Sequence, residues 1–240
     1  MNSYYQLLVV LSFATFLMAC GNRETKTNQT SETQVEVEMK TTYYENGNKE
    51  EEFQVKKGTE KKHGSYKLYD ENGVMLSERT YADGVENGIA RDYHETGNIQ
   101  REVNVVDGKY EGEMKTYYPD GKTLLQKGMF ENDLLEGKLI NYYEDGTLKS
   151  EVTMVAGLTN GEFKEYHPNA KVSAEGTFIS VGEEDEKEDG ELKEYNSQGE
   201  LMAKKICSKG ICCTVWTKAK GNVKPSSPYC VAIITGKGQQ

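Results

Sequence analysis

One short pattern recurs from Tyr43 to Gly199: a tyrosine, three residues, then a glycine. The copies are Tyr43 with Gly47, Tyr69 with Gly73, Tyr93 with Gly97, Tyr117 with Gly121, Tyr142 with Gly146 and Tyr195 with Gly199, and Tyr166 with Ala170 is the imperfect one. Successive tyrosines stand 26, 24, 24, 25, 24 and 29 residues apart, and a second glycine precedes each new copy at Gly64, Gly88, Gly112, Gly137, Gly161 and Gly190. A period of this length is one supersecondary unit, so the chain is expected to be an array whose units lean on their neighbours. Function is then expected from an extended surface rather than a pocket.

The residues inside one unit predict its shape. Asn46-Gly47, Asn72-Gly73, Asp120-Gly121 and Asp145-Gly146 are dipeptides favoured in two-residue type I′ turns, with Thr96-Gly97, Gln198-Gly199 and Asn169-Ala170 as weaker versions. The flanking strands then pair antiparallel, and the position six before each glycine faces the position five after it. That register sets Lys67 against Glu78, Arg91 against Glu102 and Lys164 against Glu175, all opposite charges. The fourth copy carries one extra residue near Thr123, read as a bulge that returns Leu124, Lys127 and Phe130 to their slots.

Alternation sorts the two faces. The repeated tyrosines share a face with the charge pairs. The other face carries Tyr66, Ala90, Met114, Leu139, Phe163 and Leu192, and collects Met75, Ile99, Leu148, Val172 and Leu201, then Tyr81, Val105, Phe130, Met154 and Phe178, from the return strands. The expected fold class is therefore all-β, an elongated single-layer antiparallel sheet of about seven consecutive hairpins. No stretch shows sustained helical periodicity.

The ends differ from the middle. Residues 1–20, MNSYYQLLVVLSFATFLMAC, carry no charged side chain and run through an apolar stretch to Leu17, Met18, Ala19 and Cys20, the layout of a secretory signal. The last four resemble a lipobox, which implies lipidation of Cys20 and a mature chain beginning there. Residues 1–19 are read as signal peptide, 20–39 as a disordered polar tether, 40–206 as the hairpin array and 207–240 as a basic tail with cysteines. The net charge is −10, and the seven lysines from Lys204 onward with no acid leave −17 on the rest, a balance that argues against nucleic acid. Cys207, Cys212, Cys213 and Cys230 all lie in the tail; their spacing is wrong for zinc, and in an oxidising envelope they are disulfide candidates with three pairings open.

Segments such as TTYYENGNK, KTYYPDGK and NYYEDGTLKSE resemble the variant MORN repeat of bacteria, found in proteins often labelled antitoxin components of the YwqK type. The resemblance covers about Lys40 to Ile206. It implies hairpins laid side by side in a twisted single layer, no catalytic residues, and an association with protein interaction.

No catalytic residue, metal site or cofactor is expected. His94 and His167 follow the repeat tyrosine at the slot filled by Tyr44, Tyr118 and Tyr143. The run Glu183–Asp189 lacks the alternating ligands of a calcium loop and reads as a solvated insertion. The expected partner-binding residues are Met114, Leu139 and Phe163 on the apolar face, with Tyr118, Tyr143, His94 and His167. An unlayered apolar face usually marks association, unless twist or the tail hides it. The chain is thus expected to be a membrane-anchored envelope lipoprotein, periplasmic or surface-facing, serving as a scaffold for an unknown envelope protein or for self-association. Two alternatives stay open: an antitoxin-like inhibitor of a secreted or neighbouring toxin, and a small-ligand binder or enzyme acting through the Cys-bearing tail.

Overall fold

In the computed structural model, residues 35–180, 186–225 and 227–236 are described. They form one open antiparallel sheet of 18 strands in hairpin order. The first are β1 (Val37–Tyr43), β2 (Lys49–Lys56), β3 (Lys62–Tyr69), β4 (Met75–Ala82), β5 (Val85–Glu86), β6 (Gly88–Tyr93) and β7 (Ile99–Val106). Then come β8 (Lys109–Tyr117), β9 (Leu124–Glu131), β10 (Leu134–Tyr142), β11 (Leu148–Val155), β12 (Leu158–Tyr166) and β13 (Val172–Ser180). The last are β14 (Glu186–Glu188), β15 (Gly190–Tyr195), β16 (Leu201–Ser208), β17 (Ile211–Thr217) and β18 (Gly221–Asn222), followed by helix α1 (Pro228–Thr235).

The repeated turn differs from the expected one. At the first copy the Gly47 amide donates to the Tyr44 carbonyl (3.0 Å) and the Tyr44 amide donates to the Asn48 carbonyl (2.9 Å). Gly47 has φ +86, while the residue before it keeps a negative φ. This is a three-residue loop, a type I turn closed by one left-handed residue, and every other copy but the fourth repeats it. The Asn and Asp residues serve as acceptors instead of adopting positive φ: Asn46 Oδ1 takes the Asn48 amide, and Asp145 Oδ1 takes the Thr147 amide.

The expected register nevertheless holds away from the turn. Tyr69 faces Met75, the pairing then slips by one residue at Leu76, and from there Lys67 faces Glu78. Arg91 likewise faces Glu102, and Lys164 faces Glu175. A bulge on each return strand thus restores the register that a two-residue loop would have set. In the fourth copy the extra residue widens the loop itself, since the Tyr118 amide reaches the Thr123 carbonyl, and Leu124, Lys127 and Phe130 fall opposite Tyr117, Lys115 and Gly112.

Two-residue turns with both φ positive do occur, at the opposite edge of the sheet. They are Asp83-Gly84, Asp107-Gly108, Asn132-Asp133, Ala156-Gly157 and Lys209-Gly210. There Ala82 faces Val85, Val106 faces Lys109 and Val155 faces Leu158. A second irregularity then shifts the pairing by two residues, for example between Val103 and Val105, near the positive-φ glycines that precede each repeat.

One row crosses the sheet on its inner face: Tyr66, Arg79, Ala90, Val103, Met114, Gly128, Leu139, Val152 and Phe163, each opposite the next or beside it. Ala90, Val103, Val105, Met114, Leu139 and Met154 form one buried cluster, and Phe163, Leu192 and Cys207 form a second. Bulges raise the right-handed twist of a sheet, and here the side chains of one face cover one another without a second layer. Glycine makes the room: a Cβ on Gly128 would stand 2.9 Å from Leu139 Cδ1, and one on Gly176 would stand 3.0 Å from the Phe163 ring. Phe163 stacks on Phe178 with centroids 4.0 Å apart.

The sheet continues past Ile206. β17 pairs with β16, and α1 lies against both. Ser227 caps the helix through the Cys230 amide, Pro228 opens it and Gly236 closes it in the left-handed region, start and stop signals that the search for long periodicity passes over. Disulfides join Cys207 to Cys212 across β16 and β17, and Cys213 to Cys230 from β17 to the helix. Glu186–Glu188, expected in a solvated insertion, instead pair with Phe178–Ser180; residues 181–185 of that run lie outside the described residues.

Ala170 holds φ +62 where the other copies have glycine. Ala170→Gly should therefore raise the melting temperature by about 2–4 °C, the equivalent of about 1 kcal/mol, in a thermal scan. Gly121→Val should do the reverse by more than about 1 kcal/mol, because φ is +66 and the added Cβ would stand 2.7 Å from Asn98 Cβ in the neighbouring hairpin. Leu139→Ser with Phe163→Ser should cost at least about 4 kcal/mol in a denaturant titration, since both side chains lie in the buried row.

Candidate interaction surface

The expected partner-binding residues fall into two structural roles. Met114, Leu139 and Phe163 are 4%, 9% and 4% exposed. This corrects the expectation that they are exposed: other side chains of the same face cover them, and they pack neighbouring hairpins together. Tyr118, Tyr143, His94 and His167 stitch the turn edge. The Tyr118 hydroxyl donates to the Tyr142 carbonyl (2.8 Å) and the Tyr143 hydroxyl to the Tyr166 carbonyl (2.8 Å). His94 Nε2 lies 3.0 Å from the Tyr117 carbonyl and His167 Nε2 lies 3.0 Å from the Tyr195 carbonyl. Each therefore satisfies a main-chain acceptor of the following repeat, as Tyr44 does for Tyr69. Asp70 and Asn196, at the same slot, turn back to cap their own loops.

Cys20 lies outside the described residues. Cys207, Cys212, Cys213 and Cys230 are all paired, which selects one of the three connectivities.

The outer face carries a ladder of charge. Glu52, Lys67, Glu78, Arg91, Glu102 and Lys115 follow one another across consecutive strands. Arg91 bonds Glu102 at 2.7 Å and Glu78 at 3.3 Å, so its guanidinium is held even more firmly protonated. Farther along, the Tyr195 hydroxyl and Lys193 hold the Glu175 carboxyl below its ordinary range. The alternation breaks where Lys115 faces Lys127 and Lys127 faces Ile140; Lys115 turns to Glu113, and Lys127 stands over the Tyr142 ring. An open hollow of about 400 Å³ beside Glu175 is lined by Lys164 and Lys193, both of which already pair with the Glu175 carboxylate.

Beside the ladder, along the edge of two-residue turns, stand half-exposed apolar side chains that the sequence reading missed, with Lys109 facing Val106 and Glu131 facing Leu134 among them. Val85, Ile89, Val106, Met129, Leu134 and Val155 are 46%, 44%, 42%, 48%, 48% and 42% exposed. They pack sparsely on the next turn, as Leu134 does on Gly157 and Val85 on Gly108. The signal was present: Asp83-Gly84 and Asp107-Gly108 each adjoin a valine, and a residue flanking a two-residue turn directly faces its partner across it.

Four consecutive segments of the array, residues 62–83, 86–107, 110–132 and 135–156, match the family model described as MORN repeat variant. Each match starts on an outgoing strand and ends at or beside a two-residue turn, so the matched unit is one hairpin of the sheet. Over these residues the chain is similar to a MORN-variant repeat array, and repeats of that kind suggest a scaffold for binding.

Proposed function

We propose that this protein is a membrane-anchored envelope lipoprotein whose repeat sheet is a non-catalytic scaffold for another envelope protein. The observation that carries the reading is the set of half-exposed apolar side chains on the outer face, interspersed with charges and lying beside the charge ladder. Anchoring is supported by the apolar leader that ends Leu17, Met18, Ala19 and Cys20, and export is supported by the paired cysteines of the C-terminal segment. That pairing also leaves a thiol-based activity of this segment without a nucleophile. Lipid would fix the location, the segment before β1 would give reach, and the outer face would select the partner.

Crosslinking and mass spectrometry in the native cell test the surface. Leu134→Ser with Val155→Ser should remove the crosslinked partner while the melting temperature stays within about 2 °C, because both side chains are nearly half exposed. Retention of every partner by that variant would refute the outer-face reading. Cys20→Ala should leave an unprocessed or soluble chain, and normal membrane fractionation at the mature size would refute the anchor.

A further inference from the structure

The two ends of the sheet are finished differently. At the C-terminal end the last strand, β18, has two residues, and α1 is tied to β17 by Cys213–Cys230. At the N-terminal end β1 presents seven residues with no proline and, among the described residues, no strand on its free side. On the outer face, Val37, Met39 and Tyr43 of this strand are 39%, 56% and 59% exposed, with Thr41 between the last two, and Val35 just before it is 41% exposed. A long edge of this kind is a template for further pairing unless it is blunted.

The direction of its free main-chain groups follows from one bond. The Lys57 amide donates to the Glu36 carbonyl (2.9 Å), and in the same register Glu38 faces Val55 and Lys40 faces Phe53. Groups alternate along an antiparallel strand, so those of Glu36, Glu38 and Lys40 turn toward β2 and those of Val37, Met39 and Thr41 turn outward. From these groups we propose that β1 pairs antiparallel with β1 of a second copy of this chain, about a two-fold axis at Met39, joining two sheets edge to edge.

Charge selects both the occupant and the register. An axis at Glu38 would set Glu38 against its own copy, and an axis at Lys40 would do the same with two lysines. An axis at Met39 sets Glu38 against Lys40 of the other copy twice, Val37 against Thr41, and Val35 against Tyr43. These are opposite-charge and aromatic–aliphatic cross-strand pairs. Met39, at the axis, has outward-pointing groups and so exchanges both its bonds with its symmetry mate, and the ladder adds about six main-chain hydrogen bonds. Lys40 meets Glu60 on its own sheet, an exposed contact that does not compete for the main chain. This edge is separate from the half-exposed apolar side chains beside the charge ladder, so either assignment stands without the other.

Sedimentation of the full chain in detergent should show a dimer. Glu38→Lys, which brings two lysines together at each pair, should raise its dissociation constant at least about tenfold, and Glu38→Lys with Lys40→Glu should restore it. Met39→Cys should oxidise to a covalent dimer, because position 39 faces itself, whereas Val37→Cys should not. If Glu38→Lys fails to fold, the two cysteine variants decide. A chain that stays monomeric at its solubility limit, a dimer indifferent to Glu38→Lys, or equal crosslinking from Val37→Cys and Met39→Cys overturns the proposal.

Discussion

The structure depends on the amide ladder that joins each hairpin to the next. Main-chain groups of a strand point within the plane of the sheet, so every inner strand is satisfied by a neighbour on both sides. The chain secures that ladder at both edges. Tyr and His side chains bond across the turns at one edge, and the two-residue turns donate backward at the other, as Gly108 does to the Glu86 carbonyl and Gly157 to the Leu135 carbonyl. Stability in such an array is a sum of units and nearest-neighbour contacts, and loss at one hairpin spreads to the next.

The burial of the inner row follows from the same ladder. Two irregularities per repeat, one beside each kind of turn, twist the strands until side chains of a single face cover each other. Gly128 and Gly176 leave space for Leu139 and the Phe163 ring, so large and missing side chains alternate across the strands. Arg79 is the exception in this row. It stands beside Ala90 and donates to the Glu78 and Arg91 carbonyls and to Asp92, while the Glu86 carboxyl, 3.3 Å away, is pushed upward by its own burial despite the nearby guanidinium. A charge inside an apolar row survives because three acceptors converge on it.

With the inner face occupied in holding the repeats together, the outer face and the edges are the surfaces that the proposed binding would use. Charges there neutralise one another along the ladder, so they set orientation and solubility more than affinity. Among the described residues, the half-exposed apolar side chains of the outer face and the open strand β1 are two places where apolar area or unpaired main chain remains.

The sequence by itself determined the repeat, the antiparallel hairpins, the register of Lys67 with Glu78 and Arg91 with Glu102, and the sorting of residues into two faces, because period and alternation are properties of neighbours along the chain. It left the kind of turn undecided. Asn-Gly and Asp-Gly suit both a type I′ turn and a type I turn closed by a left-handed glycine, and only the bulge beyond Leu76 distinguishes them. The cysteine pairing waited on β16 lying beside β17 and on the return of α1. Which face is hidden was likewise a tertiary decision: alternation says that Met114, Leu139 and Phe163 lie together, but their exposure depends on twist, which accumulates from bulges over many strands.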